Sequence, residues 1–333
     1  MDSKTVVIPE VSDSRKYWFF RTEGGEFYPD FKINNFIALG WDEFDNLDEL
    51  RNSVSQEAVE TLKSKFKEKY EDERRYGLAV NQMITFVNTM QIGDIVLIPS
   101  KNGRDIAIGE IASDAYIYMD SSTSFEFDED IILDEDQGYT SCTYKKRRDI
   151  KWLKVIKKNK LDPQLYKLLL AHNTITDASN YDMYIDRRLH AIYYKKGKVN
   201  VALRVRQEKG IPTRTMSQLL SSTLGLIDAY EFNNKELEIN DFEIKMMVES
   251  PGVIQFIGYS AAATVLLGGL AMFGFGADVN FEIAGQKFDI HTGGAMHYLE
   301  ERNRHEEEMA RIQAQKLKSS MEDLQIEIPK ELK

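Results

Sequence analysis

Three residues in the central part of the chain have the types found in a metal-dependent nuclease. Glu243 and Lys245 form a Glu-x-Lys pattern on a predicted strand, and Asp228 precedes them. Two carboxylates can hold Mg²⁺ while a lysine acts beside the scissile phosphate. However, Glu-x-Lys arises on any amphipathic strand, and Asp228 follows a predicted helix rather than lying in a strand. We therefore treat a nuclease as an alternative and favour a protein without catalytic residues.

A second group could bind a metal ion. His297, Glu301 and His305 stand at i, i+4 and i+8 on one face of a predicted helix. Exposed polar residues acquire this spacing by chance, and the acidic stretch Asp120–Asp136 lacks the ligand spacing of a calcium loop. No glycine-rich phosphate loop and no Ser-His-Asp order occurs in the sequence. The sequence therefore predicts neither a metal site nor a cofactor.

The stretch Pro251–Ala277, here called the apolar window, carries no charged side chain, although 29% of all residues are charged. A helix of roughly 20 apolar residues crosses a bilayer. The sequence predicts an apolar helix here and leaves open whether it spans a membrane or is buried in an oligomer. Small residues one turn apart, Gly258 with Ala262 and Ser260 with Thr264, favour close contact between helices.

Composition indicates a folded protein rather than a disordered chain, because 42% of the 333 residues are hydrophobic. The formal net charge of -11 argues against a protein that coats nucleic acid, but it does not exclude a local basic groove. Cys142 is the single cysteine, so an intramolecular disulfide and a cysteine-based zinc site are both excluded. A reducing compartment fits this cysteine usage.

The first half of the chain contains an ordered series of predicted short strands and helices. In order, the segments are the strands Tyr17–Arg21 and Phe36–Trp41, the helices Gln56–Gly77 and Asn81–Met90, the strands Ile95–Ile98, Asp105–Ile111 and Asp149–Ile156, and the helix Leu161–Ala171. The run Lys145–Arg148 places four basic residues before the last strand. With its motifs YWFFR, FIALGW, GDIVLIPS, AIGEI and KRRDIKWL, residues 17–179 resemble the PUA-like and EVE-like β-barrel domains of prokaryotic restriction and antiphage proteins.

The resemblance implies a small barrel whose open face holds a flipped, often modified, base or a nucleotide-like ligand. Such a base needs an aromatic face for stacking and a few hydrogen-bonding groups, while basic residues hold phosphate. Trp41, at a strand end beside a turn, is the best candidate, whereas Trp152 also fits the barrel core. At positions that match, the resemblance implies a pocket formed by Phe20, Arg21, Trp41, Asp42, Pro99, Ser100, Arg148 and Trp152. The acidic insertion Asp120–Asp136 would lie near the barrel mouth and argues against a duplex substrate.

The second half resembles no family that we can identify. It begins with a predicted hairpin of Arg187–Tyr194 and Val199–Gln207, a helix Thr215–Tyr230 and a strand pair within Glu236–Val248. Beyond the apolar window follow a hairpin over Asp278–His291 and a charged helix that ends near Gln325. The helix carries apolar residues at heptad positions, which predicts a seam for self-association. The seam consists of Ala310, Ala314, Leu317, Met321 and Leu324.

Together these features predict an α+β protein with four parts: a PUA-like domain (1–179), a small α+β domain (180–250), the apolar helix (251–277), and a hairpin with a self-associating helix (278–333). The predicted function is antiphage defence in a prokaryote, located in the cytoplasm or at the inner membrane. The first domain would sense a nucleotide or modified base and control an oligomerising, membrane-inserting C-terminal effector. The predicted partners are that ligand, further copies of the chain, the membrane and other proteins of a defence system. The alternatives are the nuclease of Asp228, Glu243 and Lys245, and a soluble adaptor in a defence complex.

Overall fold

The chain divides into two compact units in the structure, a computed structural model. The N-terminal unit comprises Ser14–Ile185, and the C-terminal unit comprises Met1–Asp13 together with Asp186–Lys333. The first strand, β1 (Lys4–Val7), therefore belongs to the C-terminal unit. The structure describes residues 4–119, 139–208, 210–233, 243–247, 252–259, 263, 266–268, 270, 279–290 and 304–332.

The N-terminal unit is built on a curled half-barrel sheet. Its strands are β2 (Tyr17–Phe20), β3 (Phe36–Leu39), β4 (Ile95–Pro99), β5 (Asp105–Ile111), β6 (Tyr116–Ile117), β7 (Lys146–Lys157) and β8 (Ile175–Asp177). The strand order is β3-β7-β5-β4-β2-β8, with β6 beside β7. The pair β2 and β4 is parallel, and the other pairs are antiparallel. The predicted strands and the mixed α/β class are thus confirmed for this part of the chain.

Helices pack against this sheet. Those that contribute residues to the core of the unit are α1 (Tyr28–Ile33), α2 (Leu47–Asn52), α3 (Gln56–Lys69) and α4 (Tyr76–Ile84). The short helix α5 (Tyr166–Leu169) and α6 (Asp182–Leu189) follow, and α6 contains the boundary between the units. The Ser55 hydroxyl accepts the Ala58 N–H at 3.2 Å and thereby caps α3. Leu62 and Phe66 of α3 are buried with Met83 of α4 in the core of the unit. The helices therefore bury their apolar stripes against the strands, as amphipathic helices must.

In its described residues, the C-terminal unit contains two sheets and two long helices. The remaining elements are β9 (Ile192–Lys195), β10 (Lys198–Val205), α7 (Thr213–Asn233), β11 (Glu243–Met247), β12 (Gly252–Gly258), β13 (Val279–Ile283), β14 (Gln286–Ile290), α8 (Arg304–Asp323) and β15 (Ile326–Glu327). One sheet has the order β11-β12-β10-β15, with β9 beside β10, and the other has the order β1-β13-β14. The structure contains the hairpins β9–β10 and β13–β14 and the helix α7 in regions where the sequence predicts a hairpin or a helix. The first predicted strand, Arg187–Tyr194, is too long, because α6 extends to Leu189. Of the predicted strand pair within Glu236–Val248, the structure contains β11, which pairs with β12, and residues 236–242 lie outside the described residues.

The prediction of one helix over the apolar window is wrong for its first part. Gly252–Gly258 forms β12, which lies between β11 and β10 and is buried along its whole length. A strand that is buried on both faces has a continuous apolar sequence, which periodicity cannot distinguish from a buried helix. Leu266 and Leu267, also within the window, are helical and belong to the buried core of this unit. Among the described residues, no helix combines the length and hydropathy needed to cross a bilayer.

The predicted seam packs within the chain. Leu317, Met321 and Leu324 share a core with Leu219 of α7. The helices approach closely at Gly225, where an added Cβ would lie 2.9 Å from the side chain of Gln313. These apolar seam residues therefore serve the fold of the C-terminal unit, since their burial is already complete against α7 and its neighbours.

Candidate ligand-binding cleft

A cleft of about 290 Å³ opens in the N-terminal unit, and aromatic side chains dominate its walls. The lining residues are Arg21, Glu23, Phe27, Phe31, Ala38, Leu39, Gly40, Trp41, Tyr144 and Thr174. We call it the aromatic cleft. Pockets for drug-sized ligands enclose roughly 300–1,000 Å³, so this volume suits one small ring system.

Both edges of the curled sheet contribute to the aromatic cleft. Ala38 and Leu39 belong to β3, the first strand of the sheet order, and Thr174 directly precedes β8, the last. Arg21 follows β2, and its backbone N–H donates to the Thr174 carbonyl at 2.8 Å. The curl of the sheet therefore brings residues that are far apart in sequence to one cleft.

Two aromatic rings of the lining meet at a steep angle. The ring centroids of Phe27 and Tyr144 lie 5.3 Å apart, and the ring planes are inclined by 75°. Phe31 extends the apolar wall, with its ring centroid 6.1 Å from that of Phe27. The faces of such rings carry partial negative charge, so they can stack on a flat ring or attract a cation.

Two residues of the lining have left-handed backbone conformations that are rare for their types. The φ angle is +47° at Glu23 and +61° at Trp41. A non-glycine residue in this region costs on the order of 1–3 kcal/mol, and such strain concentrates at ligand sites. At Trp41 the backbone is held by Lys146, whose Nζ donates to the Trp41 carbonyl at 2.7 Å, and by the Phe44 N–H at 3.0 Å. These two hydrogen bonds to the Trp41 carbonyl thus hold the strained turn in place.

Arg147 positions the segment that carries Tyr144. Its Nε donates to the Tyr144 carbonyl at 3.0 Å, and its second terminal nitrogen donates to the Cys142 carbonyl at 2.9 Å. The guanidinium lies 4.1 Å from the ring centroid of Phe36 and 3.8 Å from that of Tyr118. Because two rings and two carbonyls fix the guanidinium of Arg147, its hydrogen bond to the Tyr144 carbonyl also fixes the position of Tyr144.

Gly40 allows Tyr144 to close the cleft wall. A Cβ at position 40 would lie 3.2 Å from Cζ of Tyr144, so the ring packs directly on the glycine backbone. Burial, followed by nearby groups led by Glu23, raises the pKa of the Tyr144 hydroxyl to about 12. The hydroxyl is therefore protonated at neutral pH and presents a hydrogen-bond donor.

Lys146, which holds the Trp41 carbonyl, has a titratable side chain. Its side chain is fully buried, and Nζ lies 3.8 Å from Oδ1 of Asp42. Burial outweighs the attraction of Asp42 and lowers the pKa of Lys146 from 10.5 to about 8. Because the folded state prefers the neutral amine, the unfolded chain binds more protons between these two pKa values.

The Lys146→Met variant is expected to lack this pH dependence. In the unchanged protein the contribution of Lys146 makes the free energy of unfolding rise from pH 7 to pH 10, by about 2–3 kcal/mol at 1.36 kcal/mol per pKa unit. Urea unfolding of both proteins at the two pH values measures the difference. All other titrating groups are shared, so parallel pH profiles would refute the assignment.

The structure brings two of the sequence-predicted pocket residues into the aromatic cleft, Arg21 and Trp41. Phe20 is fully buried in the core, where its ring packs edge-on against Phe31 at 6.3 Å. Asp42 lies beside the cleft, and its Oδ1 accepts the backbone N–H of Lys145 at 3.0 Å. Phe20 and Asp42 therefore support lining residues and do not line the cleft.

Pro99 and Ser100 lie outside the lining and make structural hydrogen bonds. The Thr22 hydroxyl donates to the Pro99 carbonyl at 2.6 Å, and the Ser100 hydroxyl accepts the Asp105 N–H at 2.8 Å. Trp152 packs against the core, and its Nε1 donates to the Phe31 carbonyl at 3.1 Å. Trp152 therefore packs against the core, which was the alternative to a role in the pocket.

Arg148 lies in the interior of the unit and does not line the cleft. It is fully buried, and its guanidinium donates to four backbone carbonyls. The acceptors and distances are Phe86 at 2.7 Å, Val87 at 3.1 Å, Met90 at 2.8 Å and Ser113 at 2.9 Å. Helix α4 continues into a π-helical turn, Thr85–Thr89, whose last carbonyls have no partner within the helix. Arg148 satisfies these carbonyls and places positive charge at the negative end of the helix.

Sequence reasoning missed the other eight lining residues, which are Glu23, Phe27, Phe31, Ala38, Leu39, Gly40, Tyr144 and Thr174. Gly24-Gly25 marks a turn at the end of a strand, which was the available signal for Glu23. Phe27 and Tyr144 lie in stretches without periodicity, and only the curl of the sheet brings them together. No local pattern distinguishes them from other aromatic residues of the chain.

The predicted nuclease residues occupy the C-terminal unit. Glu243 and Lys245 lie on β11 and are exposed, and Nζ of Lys198 donates to Glu243 at 2.9 Å. This hydrogen bond lowers the pKa of Glu243. Asp228 lies on α7, but its side chain is outside the described part of the structure. Within the described residues, no cluster of three metal-binding side chains occurs.

Several other predicted features lie outside the described residues. They are the acidic insertion Asp120–Asp136 and the residues His297 and Glu301. His305 lies on α8, but nothing is described of its side chain. The arrangement of the side chains of His297, Glu301 and His305 therefore stays a matter of sequence spacing alone.

Comparison with known proteins gives a match over the part of the chain that contains the aromatic cleft. No curated protein and no solved structure matches the chain. Residues 17–179, just under half of the chain, match the model of a domain of unknown function (DUF8426).

Proposed function

We propose that the N-terminal unit binds a nucleobase, free or within a nucleotide, in the aromatic cleft. The observation that carries this proposal is the lining itself, in which Phe27, Phe31, Trp41 and Tyr144 surround a space of about 290 Å³. Stacking of a base on an aromatic side chain contributes roughly 1–3 kcal/mol. Arg21, Glu23 and the Tyr144 hydroxyl supply hydrogen-bonding groups for the polar edge of the ring.

Strain in the lining supports the same proposal. Glu23 and Trp41 keep unfavourable backbone conformations although neither is a glycine. Such conformations persist where the surrounding contacts over-determine them, and they cluster at ligand sites. In the proposed complex, the strained turn at Trp41 presents the indole ring to the ligand.

A role in antiphage defence, self-association and control of a C-terminal effector stay predictions. The proposal rests on the N-terminal unit alone. The sequence resemblance to base-binding PUA-like and EVE-like domains points to the same ligand class, and the lining residues supply the chemistry that such a ligand needs.

The Trp41→Ala variant is expected to bind nucleosides about 10- to 100-fold more weakly than the unchanged protein, because it loses the indole stacking surface. Isothermal titration with the four ribonucleosides and with 1-methyladenosine, N6-methyladenosine and 5-methylcytidine measures the affinity. Tyr76→Ala removes an exposed aromatic ring from α4 and is expected to leave binding unchanged. The proposal fails if no probe binds the unchanged protein at millimolar concentration, or if Trp41→Ala binds equally well.

A further inference from the structure

One carboxylate lines the aromatic cleft on the Tyr144 side. Glu23 belongs to the lining and is exposed. Glu23, Asp42 and Glu26 each contribute, after burial, to raising the pKa of the Tyr144 hydroxyl to about 12. Asp42 is paired with Lys146 at 3.8 Å, so Glu23 is the carboxylate that a cation in the cleft would meet.

The rings on that side form a corner rather than a parallel slot. Phe27 and Tyr144 meet at 75° with centroids 5.3 Å apart. A flat neutral base is best held between two parallel faces, whereas a compact cation is attracted to several ring faces at once. An N-methyl group on a positively charged ring would place its cationic, apolar surface in such a corner.

Arg21 is the basic member of the lining, and its guanidinium is engaged by the backbone. One terminal nitrogen donates to the Ala171 carbonyl at 3.0 Å, and the Arg21 backbone N–H pairs with Thr174. These contacts tie Arg21 to the segment before β8, whereas Tyr144 packs on Gly40 beside β3. Glu23 is thus the acidic member of the lining, and the cation of the lining already has a hydrogen-bond partner.

We infer that the aromatic cleft selects an N-methylated purine that carries a positive charge. This inference rests on the proposed function, because it specifies which base the cleft takes. The charged ring stacks on Trp41, and its methyl group enters the corner of Phe27 and Tyr144. Glu23 supplies the opposite charge at the cleft mouth.

Two methylated adenosines of similar size but different charge test whether the cleft recognises the positive charge. The probe 1-methyladenosine is a cation at pH 7, whereas N6-methyladenosine has the same atoms and is neutral. We expect the unchanged full-length protein to bind 1-methyladenosine about 5- to 30-fold more tightly, the range that cation–π attraction and one carboxylate provide. Glu23→Gln is expected to lose much of this preference, because the loss of the negative charge weakens binding of the cation more than binding of the neutral isomer.

The control variant Glu57→Gln removes an equal charge from the exposed first turn of α3 and is expected to keep the preference. Equal affinity for the two isomers, or tighter binding of the neutral one, overturns this inference and leaves the proposed function intact. Retention of the full preference in Glu23→Gln overturns the role of that carboxylate. If neither isomer nor any neutral nucleoside binds, the proposed function itself fails.

Discussion

Replacing Arg148 by methionine is expected to destabilise the N-terminal unit by at least about 4 kcal/mol. Methionine fills much of the volume but leaves the carbonyls of Phe86, Val87, Met90 and Ser113 without the donor that now satisfies them. Each buried polar group that loses its partner costs roughly 1–3 kcal/mol. Because three of these carbonyls end the helix that covers the sheet, its last turn should loosen first.

Tryptophan fluorescence isolates this effect from the rest of the chain. All three tryptophans, Trp18, Trp41 and Trp152, lie in the N-terminal unit, so their urea transition reports that unit alone. Lys151→Met removes an exposed basic residue from the same strand and is expected to change the free energy of unfolding by less than about 0.5 kcal/mol. A loss below 1 kcal/mol in Arg148→Met would show that water satisfies the carbonyls.

Arg148→Lys tests geometry apart from charge. A lysine keeps the positive charge but has one compact donor group in place of a planar fork. We expect this variant to lose more than half of the stability lost in Arg148→Met. Full retention of stability would mean that the charge at the helix terminus, rather than the four hydrogen bonds, is what stabilises the unit.

The Gly25→Ala variant is expected to lose about 3 kcal/mol or more of the same unfolding free energy. Gly25 is buried with φ of +100°, and a Cβ there would lie 2.2 Å from the backbone nitrogen of Lys101. The neighbouring backbone cannot rotate away as a side chain would. The substitution therefore forces apart the turn after β2 and the turn between β4 and β5, and it displaces Glu23 from the aromatic cleft.

Gly24 provides a matched control for this substitution. Its φ of +67° is also left-handed, but an added Cβ has no atom within 4 Å. Gly24→Ala should therefore cost only the backbone strain of about 1 kcal/mol. If the two alanine variants have equal stability in urea, the close approach of Gly25 to Lys101 does not constrain the turn.

The amino-acid sequence alone predicted most strands and helices of residues 17–179. Alternation in Asp105–Ile111, the charged amphipathic pattern of Gln56–Gly77 and the turn at Gly93-Asp94 are local signals, and each led to an element that the structure contains. The same reasoning identified the hairpin of β13 and β14 from the turn Ala284-Gly285. These elements were predictable because their hydrophobic periodicity and their turn residues can be recognised from a few neighbouring positions.

The aromatic cleft was predictable only in part. Arg21 and Trp41 stand at strand ends next to turns, where ligand-binding side chains are common. Arg148 carries the same type of charge but projects into the core beneath a helix end that lies about sixty positions away. Neither residue type nor spacing distinguishes a guanidinium that meets a ligand from one that caps a helix.

What the sequence determined by itself is the order of most elements in residues 17–179 and the uncharged character of the apolar window, because hydrophobic pattern and turn chemistry are local properties. The tertiary structure alone decided that β12 in this window is a central strand, that the seam of α8 packs on α7, and which side chains meet in the cleft. These outcomes depend on contacts between distant segments. Pairing of β12 with its neighbours buries both faces, and the curl of the N-terminal sheet brings Arg21, Trp41 and Tyr144 to one place.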